Sequence, residues 1–317
     1  MKLTPSIAAL IALIATGAAA DEDISDQYPT SLLYAKPVEF IPGVWSATGA
    51  TAPPTYENAG HNNNLSFIVT GDGVVVINAG ASVGLAKALH DEIKEATDQP
   101  VKLVIDENGQ GHAMLGNSYW VDLGIPVVAH VDAARAFEED GSASFRAGEN
   151  LLSDRFEGTR LQGPTETFDD VYNVPFGDFP IEARYLGPAH SAGDIVVFLP
   201  EQKLVISGDM AFHERMLPVF PDTDTQGWVE TWETAFEPLG ATYVIPGHGH
   251  PTNMAQVRLY THDYLVYLRE KIAAHLEEGG GLAEAYYVDQ TPYAHLNTFD
   301  ELATKNAGRV FEQMEFE

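Results

Sequence analysis

The chain has 317 residues, with 17 Lys and Arg against 46 Asp and Glu, a formal charge of −29 at neutral pH. That surplus excludes a nucleic-acid backbone as the main partner and argues against docking on an anionic membrane, since both need a basic patch. Hydrophobic residues at 45% are enough for a packed core, and the lack of Cys excludes disulfides and a cysteine-linked lipid anchor.

Taken in chain order, Lys2, the apolar run Ile7 to Ala15 and Ala18-Ala19-Ala20 before Asp21-Glu22-Asp23 have the order of a secretory signal peptide over residues 1–20. The run is too short to span a bilayer. A chain exported to the bacterial periplasm, with no membrane anchor, is therefore expected. Residues 21–37 read as an acidic lead-in, and 38–317 as a single domain.

Val38 to Ile41 and Val44 to Ala47 read as strands around Pro42-Gly43. Leu65 to Val69 and Val74 to Ile77 form a hairpin on a Gly-Asp-Gly turn. Ser82 caps a helix running to Ala96, and Val101 to Ile105 is a buried strand. Met114 to Leu123 is helical, Pro126 to Ala129 a strand and Val131 to Glu139 a helix, whereas Asp140 to Pro164 reads as a variable surface insertion. Strands return at Ile181 to Leu186, Ile195 to Leu199, Leu204 to Ile206 and Tyr243 to Ile245. Helices are expected at Trp228 to Phe236, Met254 to Glu278 and Phe299 to Met314, with Trp228, Trp232 and Phe236 at core spacing. Two mixed runs of strands, each followed by helices, suit two packed sheets with helices outside.

Three segments carry the chemistry. Gly187-Pro188-Ala189-His190-Ser191-Ala192-Gly193-Asp194 lies between two strands, Ser207-Gly208-Asp209 follows one, and Pro246-Gly247-His248-Gly249-His250 follows another. Each puts a His or Asp just past a strand end beside Gly, which lets backbones crowd together. Imidazole and carboxylate are the donors that a zinc- or iron-type ion takes. Neither a Gly-x-Ser-x-Gly elbow nor a phosphate-cradling loop occurs, so Ser191 and Ser207 are not read as nucleophiles.

With Val76-Ile77-Asn78-Ala79-Gly80, His190 in its Gly-Pro-Ala-His-Ser-Ala-Gly-Asp setting, Asp209 and His248, residues 38–275 resemble the metallo-β-lactamase-fold hydrolases. The resemblance implies an α+β fold, a four-layer αββα sandwich with its site at one edge between the sheets. The family's His-x-His-x-Asp-His signature falls on Asn108-Gly109-Gln110-Gly111-His112-Ala113 when aligned on Leu115-Gly116-Asn117. Asn108 and Gln110 then replace two His, His112 the Asp and Ala113 the last His; a slip of one residue would make His112 the last His instead.

The resemblance further implies one divalent metal, zinc or alternatively iron, held among His112, His190, Asp209 and His248. Amides are poor zinc donors, so no second metal is expected. Asp209 and His112 stand where catalysis is expected, with Asp106, Glu107 or Asp209 as the base. His61, Asn108, Gln110 and His213 are expected as accessory residues, with an ordinary loop histidine as the alternative for His61. His250 should face solvent or cap a helix, and Asp194 should hold loop amides beside His190. The expected activity is metal-dependent hydrolysis of an ester, lactone, thioester or amide in a small-molecule substrate. The alternative is a non-catalytic descendant that binds a small molecule or a protein.

Overall fold

The computed structural model describes residues 31–317. The signal peptide expected over 1–20 and residues 21–30 of the lead-in lie outside the described residues. Residues 31–37 are more than a lead-in. Leu33 is buried in the first helix layer, and Tyr34 donates its backbone N–H to His61 Nδ1 at 2.7 Å, so the packed unit starts before residue 38. Among the described residues no helix is long and apolar enough to cross a membrane.

The first sheet has seven strands in chain order: β1 Val38–Ile41, β2 Val44–Ala47, β3 Leu65–Val69, β4 Val74–Ile77, β5 Val101–Ile105, β6 Val127–His130 and β7 Glu166–Phe168. The pairs β1 to β4 are antiparallel, and those from β4 to β7 parallel. Helices α1 Val83–Ala96, α2 Gly111–Met114, α3 Asn117–Asp122 and α4 Val131–Leu152 connect the parallel strands.

The second sheet holds six strands in the order β13-β12-β11-β10-β9-β8. These are β8 Val171–Asn173, β9 Glu182–Tyr185, β10 Ile195–Leu199, β11 Leu204–Phe212, β12 Tyr243–His248 and β13 Thr252–Asn253. Outside it pack α5 Thr225–Thr231, α6 Met254–Tyr260, α7 His262–Glu277, α8 Leu282–Ala285 and α9 Phe299–Met314.

The layers follow from the two-residue period of a strand. In β4, Val74 and Val76 pack with Leu85, Leu89 and Trp120 of the helix layer, whereas Val75 and Ile77 pack with Val197, Leu199 and Ile206 of the other sheet. Trp228, Trp232 and Phe236 are all buried in the second helix layer. The expected αββα sandwich is present.

Several elements differ from expectation. The insertion expected over 140–164 is largely helix, because α4 continues to Leu152. Ala133, Phe137, Gly141, Phe145, Gly148 and Leu152 recur three or four apart and form one face, on which the rings of Phe137 and Phe156 lie over the two glycines. The short edge strands β7 and β8 were not expected. The helix expected over Met254 to Glu278 breaks at Thr261, whose hydroxyl accepts from the Phe212 N–H at 2.9 Å and so ties the break to the end of β11. Strand β11 reaches Phe212 rather than ending at Ile206.

Candidate metal centre

The ends of β5, β11 and β12 meet at one edge of the sandwich. Glycines make that meeting possible: a Cβ on Gly247 would come within 2.5 Å of Asp209 Oδ1, and one on Gly208 within 2.2 Å of Glu107 Oε2. Gly208 also sits at φ +52°, a left-handed conformation that favours glycine.

Asp209 is buried at the centre. His248 Nε2 lies 3.3 Å from its Oδ1, while His112 Nε2 and His190 Nδ1 each lie 3.6 Å from its Oδ2. Asn108 Nδ2 donates to Oδ2 at 3.1 Å, and Gln110 Nε2 donates to His190 Nδ1 at 3.1 Å. The two amides that replace signature histidines therefore hydrogen-bond to residues of the cluster. Acceptance at Nδ1 leaves the His190 ring proton on Nε2, an atom that is buried without a partner among the described residues. Glu107 Oε1 sits 3.3 Å from His112 Nε2.

Electrostatics follow from burial and these neighbours. Burial opposes ionisation of Asp209, but His112, His248 and His190 outweigh it and hold the carboxyl well below the usual range. Burial, then Arg215, takes His248 down to about 4. Burial also lowers His190 and raises Glu107. It works against a charged His112 as well, yet Asp209 and Glu107 lift that ring above its ordinary value. Burial carries Asp106 up to about 8 against bonds from Asn117 and the Ala79 N–H.

Further out, the His248 Nδ1–H donates to the Asn62 carbonyl at 2.5 Å and the ring stacks on Phe212 with centroids 5.0 Å apart. That bond turns the Nε2 lone pair towards Asp209. Asn64 fixes the same loop by donating to the Pro246 and Gly249 carbonyls at 2.8 and 2.7 Å. Asn62 and Asn64 escaped sequence reading because one acts through its backbone and both through partners distant in the chain. Asp194 accepts from the Ser191 hydroxyl at 2.9 Å and from its N–H, the structural part expected of it.

Two accessory expectations are corrected. His61 does not line the cavity; its buried ring lies against Tyr34, whose N–H it accepts, and burial lowers its pKa to about 3. His213 also misses the cavity, because its Nδ1 donates to the His250 carbonyl at 2.9 Å and its ring packs edge-on against Tyr260. His250 faces solvent and pairs with Glu214 at 2.7 Å.

His112, His190, Asp209, His248 and Gln110 open into a cavity of about 490 Å³. Leu151 and Leu152 of α4, with Phe220 and Leu302, supply apolar wall, and Arg215, Lys305 and Glu301 supply its charged part, positive by one. The donor chemistry fits a divalent ion. Oxygens of Glu107 and Asp209 and a nitrogen of His112 lie within 4.8 Å of one another, and Asp209 Oδ1 is buried without a hydrogen-bond partner among the described residues.

The profile of the metallo-beta-lactamase superfamily matches residues 114–248. The metallo-beta-lactamase type 2 of Bacteroides fragilis is 30% identical over 92 residues, 28% of this chain and 37% of that protein. That of Bacillus cereus is 29% identical over 91 residues, 27% and 35%. The chain thus spans little more than a third of the length of these curated relatives. The solved metallo-beta-lactamase from Pontibacter korlensis superposes with a TM-score of 0.59 at 21% identity, covering 73% of this chain and 98% of that one, which shows the shared fold. The profile match over residues 114–248, the two-sheet sandwich and the superposition thus agree on a metallo-beta-lactamase fold, with the cluster at its edge.

Proposed function

We propose that this chain is a metal-dependent hydrolase acting on an ester, lactone, thioester or amide of a small molecule, with one divalent ion held by His112, Asp209 and His248. The observation that carries the reading is the convergence of both Asp209 oxygens with the Nε2 atoms of His112 and His248 on a cavity with apolar and cationic walls. When bound, the ion lowers the pKa of a water ligand and polarises the carbonyl under attack. Asp209 stays ionised to hold it, and the Asn62 carbonyl keeps the His248 proton on Nδ1 so that Nε2 is free to bind. Asn108 and Gln110 occupy Asp209 Oδ2 and His190 Nδ1 with hydrogen bonds, which favours one ion over two. The apolar walls exclude water from the scissile bond, and Arg215 and Lys305 orient an anionic group on the substrate.

The same amide bonds support a second reading, a pocket that binds without turnover, since they steady part of the cluster without an ion. Metal analysis of the full chain, followed by a panel of esters, lactones and thioesters, separates the two. One ion per chain with turnover, both lost in His248→Ala, is expected. A correctly folded chain that takes up no ion from zinc or ferrous solution would overturn the hydrolase reading.

A further inference from the structure

We propose that Glu107 is itself a metal ligand, so that the centre joins two carboxylates to two imidazoles around a divalent ion with more than four coordination positions. This rests on the metal-binding reading above and adds to it a residue that replaces no ligand of the family signature.

Geometry comes first. Glu107, His112 and Asp209 form the one group of three or more such side chains, among the described residues, whose donor atoms all lie within 4.8 Å. Glu107 is held in that place from its backbone: its N–H donates to Asn78 Oδ1 at 3.0 Å and its carbonyl accepts from the Ile195 N–H at 2.9 Å. Gly208 leaves the space that its second oxygen occupies.

The simplest rival is that Glu107 only orients His112. In that arrangement a histidine ligates through one ring nitrogen and donates the other to the carboxylate. Here a single nitrogen, Nε2, faces both Glu107 Oε1 at 3.3 Å and Asp209 Oδ2 at 3.6 Å. An ion bound at Nε2 beside Asp209 therefore has a Glu107 oxygen within its own reach.

Charge points the same way. Glu107 is 3% exposed and Asp209 1%, yet among the described residues no Lys or Arg pairs with either, and both lie against the one ring of His112. Arg215, the one buried Lys or Arg among those residues, lies against His248 Nδ1 at 3.3 Å. Buried carboxylates are ordinarily paired or bound to a metal. Four protein donors would close a tetrahedral zinc site, whereas a five- or six-coordinate ion keeps positions open for water and substrate.

The test titrates Mn²⁺ calorimetrically into the chelator-stripped full chain, its Glu107→Gln form and its Glu107→Asp form. It also records the visible spectrum of each with Co²⁺. Glu107→Gln should weaken Mn²⁺ binding by more than the ~10–100-fold typical of losing an outer partner. Stripped of metal it should melt at or above the wild type, because one of the two buried carboxylates that share the His112 ring is gone. Its Co²⁺ bands should intensify as the coordination number falls. Glu107→Asp, which keeps the charge but draws it back by a methylene, should bind with intermediate affinity, and it decides the matter if Glu107→Gln does not fold. A loss of metal affinity of ~100-fold or less, or a lower melting point of metal-free Glu107→Gln, would assign Glu107 to positioning alone and leave the hydrolase reading standing. A wild type that binds neither Mn²⁺ nor Co²⁺ would remove both.

Discussion

Acid should unfold this protein in part through His61. The ring is fully buried, accepts the Tyr34 N–H at Nδ1, and is held by burial down to about 3 from an ordinary 6.5. The unfolded chain takes up a proton as the pH falls through 6.5, and the folded chain does so only near 3. Because the folded value is depressed, the stability in question is present above pH 6.5 and is lost on the way down. At ~1.36 kcal/mol per unit, the drop from pH 6.5 to 4 removes about 3 kcal/mol. That is a large part of the ~5–15 kcal/mol a domain has.

The assay is urea unfolding of the chelator-stripped protein between pH 7 and 4, for wild type and His61→Asn. Asn offers Tyr34 an acceptor oxygen close to the place of Nδ1 and does not titrate, but it is smaller. It should reduce stability at pH 7 by about 1–2 kcal/mol through the void it leaves. His190 and His248 titrate in both proteins and cancel in the difference. The two profiles should therefore cross near pH ~5.5, with the variant the more stable below it. Parallel profiles would refute the neutral buried ring.

Asp106 should act in the opposite sense. Burial raises it to about 8, so stability falls as the pH rises from about 4 to 8, by ~1.4 kcal/mol per unit. Asp106→Asn should flatten that slope in the same unfolding series, because the facing Asn117 amide can turn to bring its unpartnered Oδ1 against the new NH₂. Gly116→Ala places a methyl 2.2 Å from the Ala79 carbonyl oxygen, a backbone atom that cannot swing aside. It should cost more than ~2 kcal/mol in denaturant unfolding, and an unchanged midpoint would show that the α2–α3 corner yields. Ala147→Trp, on the exposed side of α4 at the cavity, should leave metal content and melting unchanged while raising KM for bulky substrates more than for small ones. Equal KM changes across a size series would place substrate elsewhere.

Legibility followed the kind of signal. Strands β3, β4, β5 and β10 were readable because runs such as Val74 to Ile77 are apolar on both faces, and here both faces are buried. The continuation of α4 past Glu139 was not, because Gly141 and Gly148 count as breakers in a propensity reading. They occupy the buried stripe at helical spacing, where Phe137 and Phe156 cover them. The break at Thr261 was hidden because its cause, a bond to Phe212, lies 49 residues away. At the site, His190, Asp209 and His248 were legible from their Gly-flanked strand ends. Glu107 was visible only as one of several acids able to serve as base. Its approach to Asp209 is made across two sheets, and no spacing in the chain encodes it.

The amides at 108 and 110 bear on what kind of change the motif has undergone. Had the signature histidines simply been lost, the groups that once faced a first metal would be left as buried polar atoms without partners, each at a cost of roughly 1–3 kcal/mol. Asn108 and Gln110 instead donate to Asp209 Oδ2 and His190 Nδ1, so both amides keep partners within the cluster. Asp209 Oδ1 and His190 Nε2 nevertheless keep no hydrogen-bond partner among the described residues, and Glu107 brings a second carboxylate to His112. A region that only needed to pack would leave no such atoms. Satisfied amides thus stand beside buried donors left unpartnered, a combination that a bound ion would complete.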